Sequence, residues 1–146
     1  MDTNTVDVSV VIVNWNTRDL LHQTLETLYK ESHDVNFETI VVDNGSTDGS
    51  IELVEEKWSN VRLLTLPENK GFAVGNNIGF REVKGRYVLL LNSDTIVLAS
   101  TLYEMVRFLD AHPEAGCVGC RHLNPDGTLQ RSVDNFPSLI NDFLSY

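Results

Sequence analysis

The sequence predicts an α/β protein, a mostly parallel sheet with helices on both faces, and three observations carry that expectation. Strand-like and helix-like segments alternate four times between Val8 and Leu109, the pattern that right-handed crossovers turn into a parallel sheet. Two of the strand segments, Ile40 to Val42 and Tyr87 to Leu91, are unbroken apolar runs rather than alternations, as strands buried on both faces are. Both runs stop at polar residues, Asp43 and Asn44 in one case and Asn92 to Asp94 in the other. Ligands in open α/β sheets sit off the carboxyl ends of the strands, so carboxylates at two strand ends point to one polar crevice.

The elements follow in order. Val8 to Val13 reads as a short buried strand, and the loop from Asn14 leads through Thr17, a candidate cap, into a helix with Leu21, Leu25 and Leu28 on one face. Thr39 to Val42 is the second strand. After a turn from Asn44 to Gly49, Ile51, Val54 and Trp58 mark the face of a second helix. Val61 to Leu66 is a third strand ended by Pro67, and Asn69 to Phe80 opens a third helix that runs to about Val83. Tyr87 to Leu91 supplies the fourth strand. Leu102, Val106 and Leu109 then define a fourth helix that Pro113 terminates. Beyond it the alternation stops: Arg121 to Gln130 reads as two short strands around the turn Asn124-Pro125-Asp126-Gly127. Phe136 to Tyr146 starts like a helix, with Leu139, Ile140, Phe143 and Leu144 on one face.

With 146 residues, 42% of them hydrophobic, the chain is sized for a single core that buries roughly two-thirds of the unfolded surface. Its net charge of -10 repels phosphate backbones and leaves no basic stripe, which argues against nucleic-acid binding. No apolar run approaches the ~20 residues of a membrane span, and the first residues lack the basic start of a signal peptide. The expectation is a cytoplasmic protein. Cys117 and Cys120 form a lone Cys-x-x-Cys in a strand-like run, read as two small buried thiols rather than a redox pair, which favours a helix start. His22, His33, His112 and His122 show no triad or metal spacing.

Three features carry chemistry. Gly71, Gly75 and Gly79 recur every four residues along one face of the third helix. Gly75 and Gly79 together cost on the order of 2 kcal/mol of helix propensity relative to Ala, so something must approach closely, either the sheet or a nucleotide at the helix start. Asn69, Asn76 and Asn77 are polar groups beside it. Asp43 has two readings: an Asx turn that satisfies its own loop, or an acceptor for a base imide or ribose hydroxyl. Asn92, Ser93 and Asp94 form either a turn leading to a helix near Ser100 or the oxygen ligands of a hard divalent cation shared with substrate phosphates.

These motifs resemble the inverting glycosyltransferases of family 2, with the GT-A fold. The resemblance rests on Val11-Ile12-Val13-Asn14-Trp15-Asn16, on Val42-Asp43-Asn44-Gly45-Ser46-Thr47-Asp48-Gly49, on Asn69-Lys70-Gly71-Phe72-Ala73 continuing to Gly75-Asn76-Asn77 and Gly79, and on Leu90-Leu91-Asn92-Ser93-Asp94. Each is weak singly; four in one order are specific. Asn124 to Gln130 and Phe136-Pro137-Ser138 look like the rhamnosyltransferase-like branch that acts in bacterial surface polysaccharide synthesis.

The resemblance implies a nucleotide-diphospho-sugar donor. Asn14 and Asn16 would border the base, Asp43 and Asn44 would meet base or ribose, Asn69, Gly71 and Asn76 would flank the nucleotide, and Ser93 would lie beside Asp94. Asp94 would be the metal acid of the family's Asp-x-Asp motif, holding Mn²⁺ or Mg²⁺. Asn92 stands where the first Asp often does, a poorer ligand that leaves the ion dependent on the diphosphate. The acceptor would be a carbohydrate or a lipid-linked one, with the enzyme peripheral to the inner membrane face. The family's base, an Asp or Glu after the hairpin, has no match here: Asp126, Asp134 and Asp142 lie in a turn or tail. The expected organisation is therefore a donor-binding portion over residues 1–131, followed by residues 132–146 as a lead into an absent acceptor half. Such a chain would fold, turn over poorly, and pair as a homodimer through its apolar tail. Two rivals are a non-enzymatic nucleotide-sugar module and a nucleotidyltransferase. The latter needs a Gly-rich, basic loop after the first strand, where this chain has Asn14 to Arg18.

Overall fold

The computed structural model describes residues 5–131. Eight elements alternate: β1 (Val8–Asn14), α1 (Arg18–Glu31), β2 (Phe37–Asp43), α2 (Ser50–Lys57), β3 (Val61–Thr65), α3 (Phe72–Phe80), β4 (Tyr87–Leu90) and α4 (Thr101–Ala111). The four strands form one sheet in the order β3-β2-β1-β4, and every pairing is parallel. After β3 the chain crosses both inner strands to lay β4 on the far side of β1. The direction of winding reverses there, and the helices divide accordingly.

Apolar residues on one face of the sheet, among them Val8, Val10, Ile12 and Val41, meet Leu21, Leu25 and Leu28 of α1, Val54 of α2 and Leu102 of α4. The three leucines of α1 are fully buried, each stabilising the fold by about 1.5–3 kcal/mol. On the other face Val13, Ile40 and Val42 pack with Ile78 of α3 and Val83. The glycine stripe explains how closely α3 sits. A methyl group on Gly75 would lie 2.8 Å from Val13 Cγ1, and one on Gly79 would lie 2.5 Å from Val11 Cγ1. The sheet, not a ligand, fills those two gaps. Gly71 is different: it caps α3 with φ +88° and has open space around it.

The structure corrects several expectations. β4 is not buried on both faces: Tyr87 and Leu89 turn into the core, while Val88 and Leu90 are 44% and 49% exposed. Among the described residues it is an edge strand, and α3 packs on β1 and β2 rather than over this flank. Helix α2 buries Leu53 and Val54, not Ile51, and α3 ends at Phe80 rather than Val83. Thr17 makes no side-chain cap to α1; the Arg18 amide donates instead to Asp48 Oδ2 at 2.9 Å, from the β2–α2 loop. The segment with Cys117 and Cys120 is irregular and both thiols are exposed, because no strand pairs with it among the described residues. The turn at Asn124 to Gly127 forms as expected, closed by the Gly127 amide donating to Asn124 O at 2.8 Å. Its flanks meet only as the bridge Leu123–Leu129, short of two strands. The expectations for residues 132–146, including the helix start and the dimer through it, lie outside the described residues.

Candidate functional site

β1 and β4 are neighbours although β2 and β3 separate them in sequence, so the winding reverses between them and a crevice opens at their carboxyl ends. Asn14 and Asp43 end β1 and β2 directly opposite one another. Both side chains are buried, a costly position for polar groups unless each finds partners. They do. Asn14 Nδ2 donates to Asp43 Oδ2 at 2.9 Å and to Ser46 Oγ at 3.1 Å, while Asn14 Oδ1 accepts from the Thr17 hydroxyl at 2.6 Å. Asp43 Oδ1 accepts the Ser46 amide at 2.8 Å. The Asx-turn reading of Asp43 is thus realised, with Asn14 as its second partner.

The Thr17 hydroxyl also lies 2.9 Å from Ser93 Oγ. An unbroken hydrogen-bonded chain therefore runs Asp43, Asn14, Thr17, Ser93, joining the ends of β2 and β1 to the loop after β4. Asn16 sits beside it at φ +53°, a conformation Asn tolerates better than most residues. Its amide donates to Ser46 Oγ and its Oδ1 accepts the Thr47 amide. A second cluster braces the opposite wall: Asn44 Nδ2 donates to Asn69 Oδ1, and Asn44 Oδ1 accepts the Lys70 amide, while Gly71 N donates to Asn69 Oδ1, all at 2.8–2.9 Å. The loops touch so closely that a methyl on Gly45 would lie 2.7 Å from Glu68 Cα. Asn76 is buried in α3, its amide bonded to Phe72 O.

Asn14, Asp43, Asn44 and Asn69 thus build the rim by bonding to one another. Asn92 and Asp94 differ: both are exposed, and no side-chain hydrogen bond or ion pair engages either among the described residues. Their hard oxygens suit Mn²⁺ or Mg²⁺, which take carboxylate and amide oxygens and keep open positions for water and phosphate. Two donors make an incomplete shell, and no group of three or more His, Cys, Asp or Glu that could hold an ion occurs among the described residues. The rim is acidic. Its loops carry Asp43, Asp48, Glu68 and Asp94 against Arg18 and Lys70, and those two cations already face Asp19 and Glu68. Burial works against the Asp48 charge, yet bonds from the Ser50 hydroxyl and the Arg18 and Ser50 amides hold its carboxyl below the usual range.

The motif reading missed Thr17 as a bridge, and Thr24. Thr24 had a signal: it interrupts the apolar stripe of α1 between Leu21 and Leu25, and a polar group on a buried face needs a partner. A cavity of about 700 Å³ lies elsewhere, between α4 and residues 118–123, lined by Met105, Phe108, Val118 and Leu123. None of the strand-end residues lines it.

Comparison with known proteins fits this geometry. TuaG of Bacillus subtilis, named as a putative teichuronic acid biosynthesis glycosyltransferase, is 31% identical over 105 residues, covering 70% of this chain and 41% of TuaG. Residues 1–349 of Staphylococcus aureus TarS, solved in complex with UDP-GlcNAc, superpose with a TM-score of 0.68 at 28% identity, over 74% of this chain and 32% of that one. The mannosyltransferase PcManGT of Pyrobaculum calidifontis, solved with GDP-Man and Mn²⁺, gives a TM-score of 0.63 at 28% identity, over 73% of this chain and 33% of that one. The chain thus spans about a third to two-fifths of these relatives, and its parallel sheet with flanking helices is that of GT-A glycosyltransferases. The model of glycosyl transferase family 2 matches residues 9–144, and the chain belongs to that family.

Proposed function

We propose that this chain is the donor-binding portion of an inverting glycosyltransferase that transfers a sugar from a nucleoside diphosphate to a hydroxyl of a carbohydrate or lipid-linked acceptor, in polysaccharide synthesis at the cytoplasmic side of the membrane. One observation carries the reading: the chain Asp43, Asn14, Thr17, Ser93 ties the loop of Asp94 to the crevice at the winding reversal. The structures of TarS with UDP-GlcNAc and PcManGT with GDP-Man and Mn²⁺ support the class of donor and a divalent ion, and TuaG supports the pathway class. No helix among the described residues is long and apolar enough to cross a membrane.

The rim's acidity explains why a cation belongs here. A diphosphate brought beside Asp94 and Glu68 is repelled unless a counter-charge lies between. Asp94 and Asn92 would hold that ion. When bound, it supplies Lewis-acid neutralisation of the departing diphosphate. The protein's own residues orient the donor: Asn14, Asn44 and Asn69 fix the loops, and the open space at Gly71 leaves room at the start of α3, where free helix amides favour an anion.

The acceptor hydroxyl needs a base. Asp126 is unsuited: the Thr128 hydroxyl and amide hold its carboxyl below its ordinary value, the opposite of what a base requires. Asp134 and Asp142 lie outside the described residues. None of the described acids of the segment 121–130 after α4 is thus suited to be the base.

Calorimetric titration with UDP, dTDP and GDP, with and without Mn²⁺, tests the proposal. Binding strengthened by Mn²⁺, and made metal-independent by Asp94→Ala, supports it. Mn²⁺-dependent binding that survives Asp94→Ala removes Asp94 as the ligand, and no binding of any of the three removes the donor site.

A further inference from the structure

We infer that Thr24, on the buried face of α1, is a positioning residue that sets the height of the Asp94 loop for the divalent ion. This rests on the proposed role of Asp94. Thr24 is 1% exposed. Its hydroxyl donates to Ser93 O at 2.9 Å and accepts the Thr95 amide at 3.1 Å. The residues on either side of Asp94 are thus fixed by one oxygen atom from a helix about 70 positions earlier in the chain.

One helical turn further on, Thr27 Oγ1 accepts the Val97 amide at 3.1 Å, and at the helix start Thr17 meets Ser93 Oγ at 2.9 Å. Residues 92–100 contain no regular secondary structure, so their backbone groups have no ladder to satisfy them. The threonines of α1 take that place. Because α1 is anchored in the core by Leu21, Leu25 and Leu28, the rigidity of the core reaches the exposed carboxylate of Asp94 through Thr24.

The consequence is specific. An exposed carboxylate on an untethered loop costs ordering entropy whenever it binds an ion; one whose flanking peptides are already bonded does not. Groups that orient metal ligands are typically worth tenfold or more in affinity. A general packing role for Thr24 would lower stability without touching the coupling between Mn²⁺ and nucleotide.

The test uses the whole 146-residue chain with UDP and GDP as probes. The affinity gained on adding Mn²⁺ is measured for wild type, Thr24→Val, Thr24→Ser and Asp94→Ala, alongside amide hydrogen exchange at Thr95 and the melting temperature. Thr24→Val keeps the shape and removes both bonds; Thr24→Ser keeps the oxygen. The expected result is a fall of about tenfold in the Mn²⁺-dependent gain for Thr24→Val, with metal-free binding unchanged and Thr95 exchange faster, and with the gain and the exchange rate both restored by Thr24→Ser. In Asp94→Ala background, Thr24→Val should cost nothing more. A wild-type Mn²⁺ gain in Thr24→Val, or a Thr24→Ser variant as impaired as Thr24→Val, overturns the positioning role while leaving Asp94 as ligand. If Asp94→Ala itself retains the full gain, the ligand assignment fails, and the role of Thr24 falls with it.

Discussion

Replacing Gly79 by Ala separates two opposing effects whose sizes can be worked from the structure. In a free helix the change is favourable by about 1 kcal/mol, since Ala is the better helix former. Here the new methyl would lie 2.5 Å from Val11 Cγ1 and 3.3 Å from Val42 Cγ2, whereas carbon atoms rest at about 3.5–4.0 Å. Val11 and Val42 are fully buried on the central strands, and a β-branched side chain has little rotamer freedom with which to retreat. Overpacking of this kind costs about 1–3 kcal/mol, so the steric term wins by a net ~1 kcal/mol or somewhat more. Urea unfolding of a domain this size has a slope of about 1–3 kcal/mol per molar, and the midpoint should fall by roughly half a molar. Val11→Ala alone should cost about 2 kcal/mol through lost burial. In the double variant each change fills or vacates space for the other, and the loss should be smaller than the sum of the two. Gly71→Ala provides the contrast: it meets no atom within 4 Å but sits at φ +88°, ψ 160°, a region essentially reserved for Gly, so its cost, about 1–3 kcal/mol, is backbone strain and should not couple to Val11. A Gly79→Ala protein as stable as wild type, or strict additivity with Val11→Ala, would refute the close-packing argument.

Three further outcomes are expected. Asn14→Ala removes the partner of Asp43, Ser46 and Thr17 at once, leaving a buried carboxylate short of a donor; a loss of about 2–4 kcal/mol in chemical denaturation is expected, and a change below about 0.5 kcal/mol would show the hub to be dispensable. Asp48 has a folded-state pKa below its unfolded value, so its bonds stabilise the fold at neutral pH and that contribution disappears as pH falls through the lowered value, below the ordinary carboxylate range near about 4. Wild type should therefore lose melting temperature faster than Asp48→Asn on acidification below that range, and parallel curves would contradict the assignment. Cys117 and Cys120 are exposed, so both should react with a thiol reagent in the native chain; protection of both until denaturant is added would restore the buried reading.

Much of the fold was legible because its signals are local. Continuous apolar runs gave β1 and β2, and the leucine spacing of α1 gave its buried face. β4 misled for a physical reason: an apolar run reports what a strand can bury, not whether anything covers it, and among the described residues Val88 and Leu90 stay about half exposed. At the site, Asp43, Asn44, Asn69 and Asn14 were legible as polar residues at strand and helix ends. Their occupation by one another was not, since hydrogen bonds such as Asn14 to Asp43 join residues 29 apart. The same limit hid Asp48 as the partner of Arg18, and Thr24 as the anchor of a loop that sequence places far away.

Among the described residues the flank of β4 is a bare edge of the sheet. β1 and β2 lie between neighbouring strands, whereas among the described residues β4 presents an unclaimed row of backbone groups and a greasy shoulder of Val88 and Leu90. New architecture can be grafted at that border without re-registering what lies behind it. The crevice around Asn14 and Asp94 can thus stay constant while whatever is appended beside β4 diversifies, a modular division between a fixed chassis and an exchangeable attachment.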